Sequence, residues 1–169
     1  MIGIVLLVAF GLGMVWLARN TGMLRDGPDK NFPGSLARTQ MAFWFGLTSV
    51  AYCYIWLLTG IGQDVVNSTT LALLGISAIT GVGATSIDGQ KDPSKRSFFF
   101  DILSEKPAGA TAAGVTIHRV VMATWTIILG GVFLSTVLYT QCFPNFDATL
   151  LTLTGLTSGL YVGFKWLNS

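Results

Sequence analysis

The sequence offers little from which to build reactive chemistry: one histidine, two cysteines and eight acidic residues in 169 positions. His118 stands beside Arg119 and reads as an ordinary residue at a helix end. Five long stretches contain no Asp, Glu, Lys, Arg or His at all. They therefore hold no carboxylate–histidine pair and no proton relay of the kind that pumps and membrane hydrolases require. Cys53 lies within one of these stretches and Cys142 outside them, so an internal disulfide is not expected, although Cys142 could pair between subunits on an oxidising side. Metal-ligand spacing is absent. Asn67-Ser68-Thr69 matches a glycosylation acceptor, and we read Asn67 instead as a helix cap. The expectation is a chain with no catalytic residue, no metal, no cofactor and no enzymatic activity.

What the residue types do provide is close packing and contact with lipid. Gly155, Gly159 and Gly163 recur every fourth residue with Ser158 alongside, so they share one narrow helical face where another backbone can approach. An earlier segment carries Gly75 and Gly83 at matching positions and a neighbouring stripe of Ser77, Gly81 and Thr85. We expect these faces to join helices within one subunit, with the surplus face on the earlier segment available for self-association.

The elements that must position these faces follow from hydropathy. The uncharged stretches are 2–18, 41–58, 69–87, 120–138 and 148–164, each 17 to 19 residues long. About 20 residues of helix cross about 30 Å of hydrocarbon. Charged residues make up 11% of the chain, about half the share in a soluble domain. The expected fold is an all-α membrane protein of five transmembrane helices.

Every Lys and Arg falls on one side if the five spans alternate. Arg19, Arg25, Lys30 and Arg38 join spans one and two; Lys91, Lys95, Arg96, Lys106 and Arg119 join spans three and four; Lys165 ends the fifth. The opposite connections, 59–68 and 139–147, hold none. The positive-inside rule then places the amino terminus outside and the carboxyl terminus in the cytoplasm. The first span has no basic n-region and no small-residue cleavage site, so it reads as a retained anchor. The net charge of +2 comes from loops beside anionic lipid, which argues for membrane and against nucleic acid.

The chain also matches itself at an offset of about 80. Ser35-Leu36-Ala37-Arg38-Thr39-Gln40-Met41-Ala42-Phe43-Trp44 answers Thr116-Ile117-His118-Arg119-Val120-Val121-Met122-Ala123-Thr124-Trp125, both reading Ser/Thr-Leu/Ile-x-Arg-x-x-Met-Ala-x-Trp. After one residue of slippage, Leu73-Leu74-Gly75-Ile76-Ser77 answers Leu153-Thr154-Gly155-Leu156-Thr157. The expected organisation is an N-terminal anchor and loop (1–34), a first two-helix repeat (35–88), a cytoplasmic linker (89–114) and a second repeat (115–169). Repeats that both enter from the cytoplasm are parallel, related by a pseudo-twofold axis along the membrane normal.

Ser35, Thr116, Asn67 and Asp147 stand where helix caps are needed. Arg38 and Arg119 lie a turn inside, where a guanidinium can snorkel to headgroups. Trp44, Trp125, Trp56 and Lys165 complete an expected lipid interface, with Trp16 and Trp166 on the same belt. In the linker, Lys95-Arg96 precedes Phe98-Phe99-Phe100, a basic and aromatic segment suited to the headgroup zone or to docking a cytoplasmic partner. The small-residue run 107–114 reads as slack.

From Ser35 onward these motifs resemble a group of uncharacterised bacterial polytopic inner-membrane proteins. The resemblance implies a bacterial inner-membrane setting and carries no activity with it. Two functions fit: a homo-oligomerising scaffold or sensor subunit that recruits a partner through its cytoplasmic loops, or an oligomeric ion channel or pore lined by the small residues of spans three and five.

Overall fold

In the computed structural model the described residues are 5, 9–13, 15–16, 20–25, 32–87, 102–105 and 114–167, with the side chains of 85–87, 105 and 165 outside that description. The molecule is mostly helical. Four helices have both ends among the described residues: α1 (Leu36–Thr59), α2 (Ser68–Ile87), α3 (Ile117–Thr140) and α4 (Ala148–Leu167). None contains proline, and each is long enough to repay the cost of helix nucleation.

The helices come in two pairs of matching form. α1 and α3 are both 24 residues long, and α2 and α4 are both 20. α1 and α3 also end alike, in a left-handed residue whose amide bonds back into the last turn: Gly60 to Trp56 and Gln141 to Val137. Glycine makes this turn without strain, whereas Gln141 adopts φ 55° with a side chain in place.

Helix starts divide by end. Asn67 and Asp147 cap as expected, their side-chain oxygens accepting the amides of Thr70 at 2.9 Å and Thr149 at 3.3 Å. Ser35 and Thr116 occupy the N-cap positions in extended conformation, but neither hydroxyl bonds its own helix. Instead, their backbones are taken up by flanking segments. The Ser35 amide donates to the Leu24 carbonyl at 2.8 Å, and the Thr116 amide to Leu103 at 3.1 Å.

The four helices form a ring in the order α1, α2, α4, α3, each touching its two neighbours. Contacts fix their directions. Gln40 meets Thr126 and, further along both helices, Trp44 meets Phe133, so α1 and α3 run the same way. Ile76 faces Gly155 and Val162 faces Gly83, so α2 and α4 also run together. Met41 lies against Gly81 and His118 against Phe164, which makes each sequence-adjacent pair antiparallel.

Call the end holding the starts of α1 and α3 basal and the other distal. At the basal end β1 (Ser104–Glu105) and β2 (Gly114–Val115) pair antiparallel, with Ser104 opposite Val115. Gly114, expected to close a slack linker, is therefore a ladder residue. Residues 9–13 are helical, and the Phe10 ring sits 6.5 Å from that of Phe43, over the notch left by Gly46.

The outer surface differs from that of a soluble bundle. α1 and α3 are long and apolar enough to cross a membrane, yet only 28% of the most apolar stretch of each is buried. Ser68–Ala84 and Ala148–Phe164 are shorter apolar helices. Ile79 and Ile127 are 76% and 73% exposed, while Thr70, Ser77, Thr80, Thr154 and Ser158 are buried. A soluble helix turns its apolar stripe inward and its polar residues out. Here large aliphatic side chains are exposed around the outside, and a set of hydroxyls is buried among apolar residues inside.

A candidate polar site inside the helix ring

Two apolar clusters occupy the ring at different heights. The distal cluster includes Trp44, Leu47, Leu73, Leu129 and Phe133, with Leu150 and Leu151 packed against it. The basal cluster includes Leu36, Ala37, Ala84, Met122 and Tyr161. Reading along each helix, one polar set separates the two: Gln40 on α1, Ser77 and Thr80 on α2, Thr126 on α3, Thr154 and Ser158 on α4. On α2 the spacing Thr70, Leu73, Ser77, Thr80, Ala84 keeps these residues on one inward face.

The hydrogen bonds give this layer a definite polarity. Ser77 donates to the Leu74 carbonyl at 3.0 Å, Thr80 to Ile76 at 2.7 Å, Thr126 to Met122 at 2.9 Å and Thr154 to Leu150 at 2.8 Å. A hydroxyl has one proton, so once it is committed to the backbone the oxygen can only accept. Gln40 Nε2 donates to Thr126 Oγ1 at 2.7 Å. Because the Thr126 proton already goes to Met122, the amide nitrogen must face Thr126, and Oε1 points elsewhere. Oε1 is buried with no hydrogen-bond partner, as is Thr48 Oγ1 further along α1. A buried carbonyl left unpaired costs about 1–3 kcal/mol.

The basal end holds Arg119, which is 3% exposed. Its Nη1 donates to the Ile102 carbonyl at 3.3 Å, and Cζ stands 5.6 Å from the Tyr161 ring centroid, within cation–π range. His118 stacks on Phe164 with centroids 5.2 Å apart. Together with the Thr116–Leu103 bond, these contacts fasten the segment before β1 to the starts of α3 and the end of α4.

At the distal end Asn67 ties the two connecting loops. Its Nδ2 donates to Pro144 O and Asn145 Oδ1, both at 2.9 Å, with Phe143 O at 3.3 Å. Thr69 extends the tie by accepting the Phe146 amide at 3.2 Å.

Several expected placements are corrected. Trp44 is 1% exposed and packs edge-on to Phe133, so it is a core residue and not part of an outer aromatic belt. Trp125 is half-buried against the distal cluster. Arg119 is enclosed by its neighbours and does not extend outward, whereas Arg38 is only half-buried. Trp56, Trp16 and Trp166 are exposed. The side chains of Lys165 and Thr85, and all of Lys95, Arg96, Phe98, Phe99 and Phe100, lie outside the described residues.

The small residues also sort differently. Gly81 packs on Met41 of α1, and Gly83 on Val162 of α4. Ser77 and Ser158 are buried, and Gly155 just reaches Ile76 at 4.0 Å. A Cβ added at Gly75, Gly159 or Gly163 would meet nothing within 4 Å. The four-residue glycine stripe of α4 is thus largely open, and α2 and α4 meet through neighbouring positions instead.

Gln40 was legible as part of the repeated motif but not as a site residue, since its partner lies 86 residues away. Its repeat counterpart is Val121, and that mismatch was the available signal. No family model, no curated protein and no solved structure matches the chain.

Proposed function

We propose that this chain is a non-enzymatic integral protein of the bacterial inner membrane, with five spans, a duplicated two-helix unit and an external amino terminus. The observation that carries the reading is the large exposed aliphatic surface of long apolar helices, with hydroxyls buried between the apolar clusters inside. In water such a surface would drive aggregation, whereas in hydrocarbon it is the favourable arrangement. Helices of 20 and 24 residues measure about 30 and 36 Å, enough to cross the hydrocarbon layer. The basal end is then cytoplasmic, and the matched lengths and shared directions of the helix pairs support a parallel duplication; because each helix lies beside its repeat counterpart, the two copies sit side by side and not across the expected twofold axis.

Its role is that of a scaffold or sensor subunit that self-associates and engages a partner at the cytoplasmic end. Support for self-association comes from the open glycines of α4, bordered by exposed Leu156, Leu160 and Phe164. In lipid, helices associate through close backbone approach and not through hydrophobic gain. Native mass measurement in nanodiscs tests this: wild type is expected as an oligomer and Gly159→Leu as a monomer. A monomeric wild type would overturn it.

A second reading, an oligomeric pore, draws on the hydroxyl-rich faces of α2 and α4. Flux through liposomes, abolished by Gly81→Leu or Gly159→Leu, would favour it over the scaffold.

A further inference from the structure

We propose that the polar layer between the two apolar clusters is a binding site for one water-sized hydrogen-bond donor, held by Gln40 Oε1. The inference rests on the bundle lying in a membrane and not on self-association, because every group it uses belongs to one chain.

The chemistry of the layer selects the ligand. Ser77, Thr80, Thr126 and Thr154 have all committed their protons to backbone carbonyls, so their oxygens present lone pairs alone. Gln40 is 6% exposed, and its Oε1 is an acceptor with no donor. An anion or a pure acceptor would leave this buried oxygen unpaired. A species with protons to give would pair it, and the gain from filling a buried acceptor is of the order of the 1–3 kcal/mol that leaving it unpaired costs. Trp44, Phe133, Leu73, Met122 and Tyr161, each at most 1% exposed, belong to the apolar clusters on either side of the layer, and such close packing favours a guest no larger than water. Water and ammonium share that chemistry: each is small and donates N–H or O–H protons. Among the described residues the layer holds no carboxylate, so these residues offer a divalent cation nothing to offset its dehydration.

The experiment is NMR on the protein in nanodiscs, following the Gln40 side-chain amide, assigned by its loss in Gln40→Leu. Circular dichroism and nanodisc incorporation are recorded first, so a failure to embed in lipid is scored against the membrane reading and not against the site. A cross-peak from the Gln40 amide to slowly exchanging water protons identifies water as the guest. A cross-peak to protons of added 15N-ammonium, with saturable stabilisation by ammonium chloride that tetramethylammonium chloride does not reproduce, identifies ammonium. Thr126→Val, which keeps the volume and removes the hydroxyl, should weaken either signal. A Gln40 amide that shows neither cross-peak and is indifferent to ammonium overturns the proposal.

Discussion

The ring of Phe43 stands where a side chain on Gly130 would have to be: a Cβ built at Gly130 meets Phe43 Cζ at 2.7 Å and Cε1 at 2.9 Å. α1 and α3 touch there through an aromatic knob in a glycine notch. The adjacent Gly131 faces open space. Gly130→Ala should therefore destabilise the bundle by about 1–3 kcal/mol through overpacking. Gly131→Ala should be neutral or stabilising by up to about 1 kcal/mol through helix propensity. Reversible unfolding in mild detergent checks both, and equal effects at the two positions would contradict the packing described.

The Asn67 tie predicts a charge-sensitive latch. Asn67→Ala removes a cap and a loop-to-loop bond, for an expected loss of about 1–3 kcal/mol. Asn67→Asp keeps the cap but turns a carboxylate toward the oxygens of Pro144 and Asn145. It should be at least as destabilised at neutral pH and regain stability when acidified, measured as the pH dependence of the melting temperature.

Phe10 and Gly46 predict a coupled pair. Gly46→Ala should displace the Phe10 ring and loosen the first helical segment, whereas Gly46→Ala in a Phe10→Ala background should cost much less. A double-mutant cycle with coupling of about 0.5–3 kcal/mol is expected. Strict additivity would show that the two do not touch.

Asp147 lies outside the helices, and its carboxyl is held below the ordinary carboxylate value, first by the hydrogen bond from the Thr149 hydroxyl and then by the Thr149 amide. A depressed folded-state value means the contribution is complete above the unfolded value and is lost as pH falls through the folded one. Stability should decline slightly as pH drops below about 4, and Asp147→Asn should flatten that part of the profile. A decline of equal size in Asp147→Asn would assign the effect to other carboxylates.

The helices were legible because uncharged runs between charged or turn-forming loops leave little else for the chain to do. Asn67 and Asp147 were readable as caps because a cap acts within its own first turn. Inward and outward faces were not readable, since both sides of each helix are apolar and periodicity carries little signal. Trp44 and Trp125 match in the repeat, yet only tertiary packing decides that Trp44 meets Phe133 while Trp125 stays half-buried. Arg119 was misplaced for a similar reason. A guanidinium at a helix end can reach headgroups or be covered by a loop, and the carbonyl of Ile102 that covers it is 17 residues away. Open glycines on α4 show the converse, because a stripe that looks made for contact need not be used within the chain.

The central claim is that the four helices cross the membrane with the starts of α1 and α3 on the cytoplasmic face. Its most direct test is labelling of single cysteines by an impermeant maleimide, in a background lacking Cys53 and Cys142. Asp64→Cys, in the distal loop, should react in intact spheroplasts. Gly114→Cys, in β2 at the basal end, should react only after permeabilisation. Reaction of both from the same compartment would contradict the account.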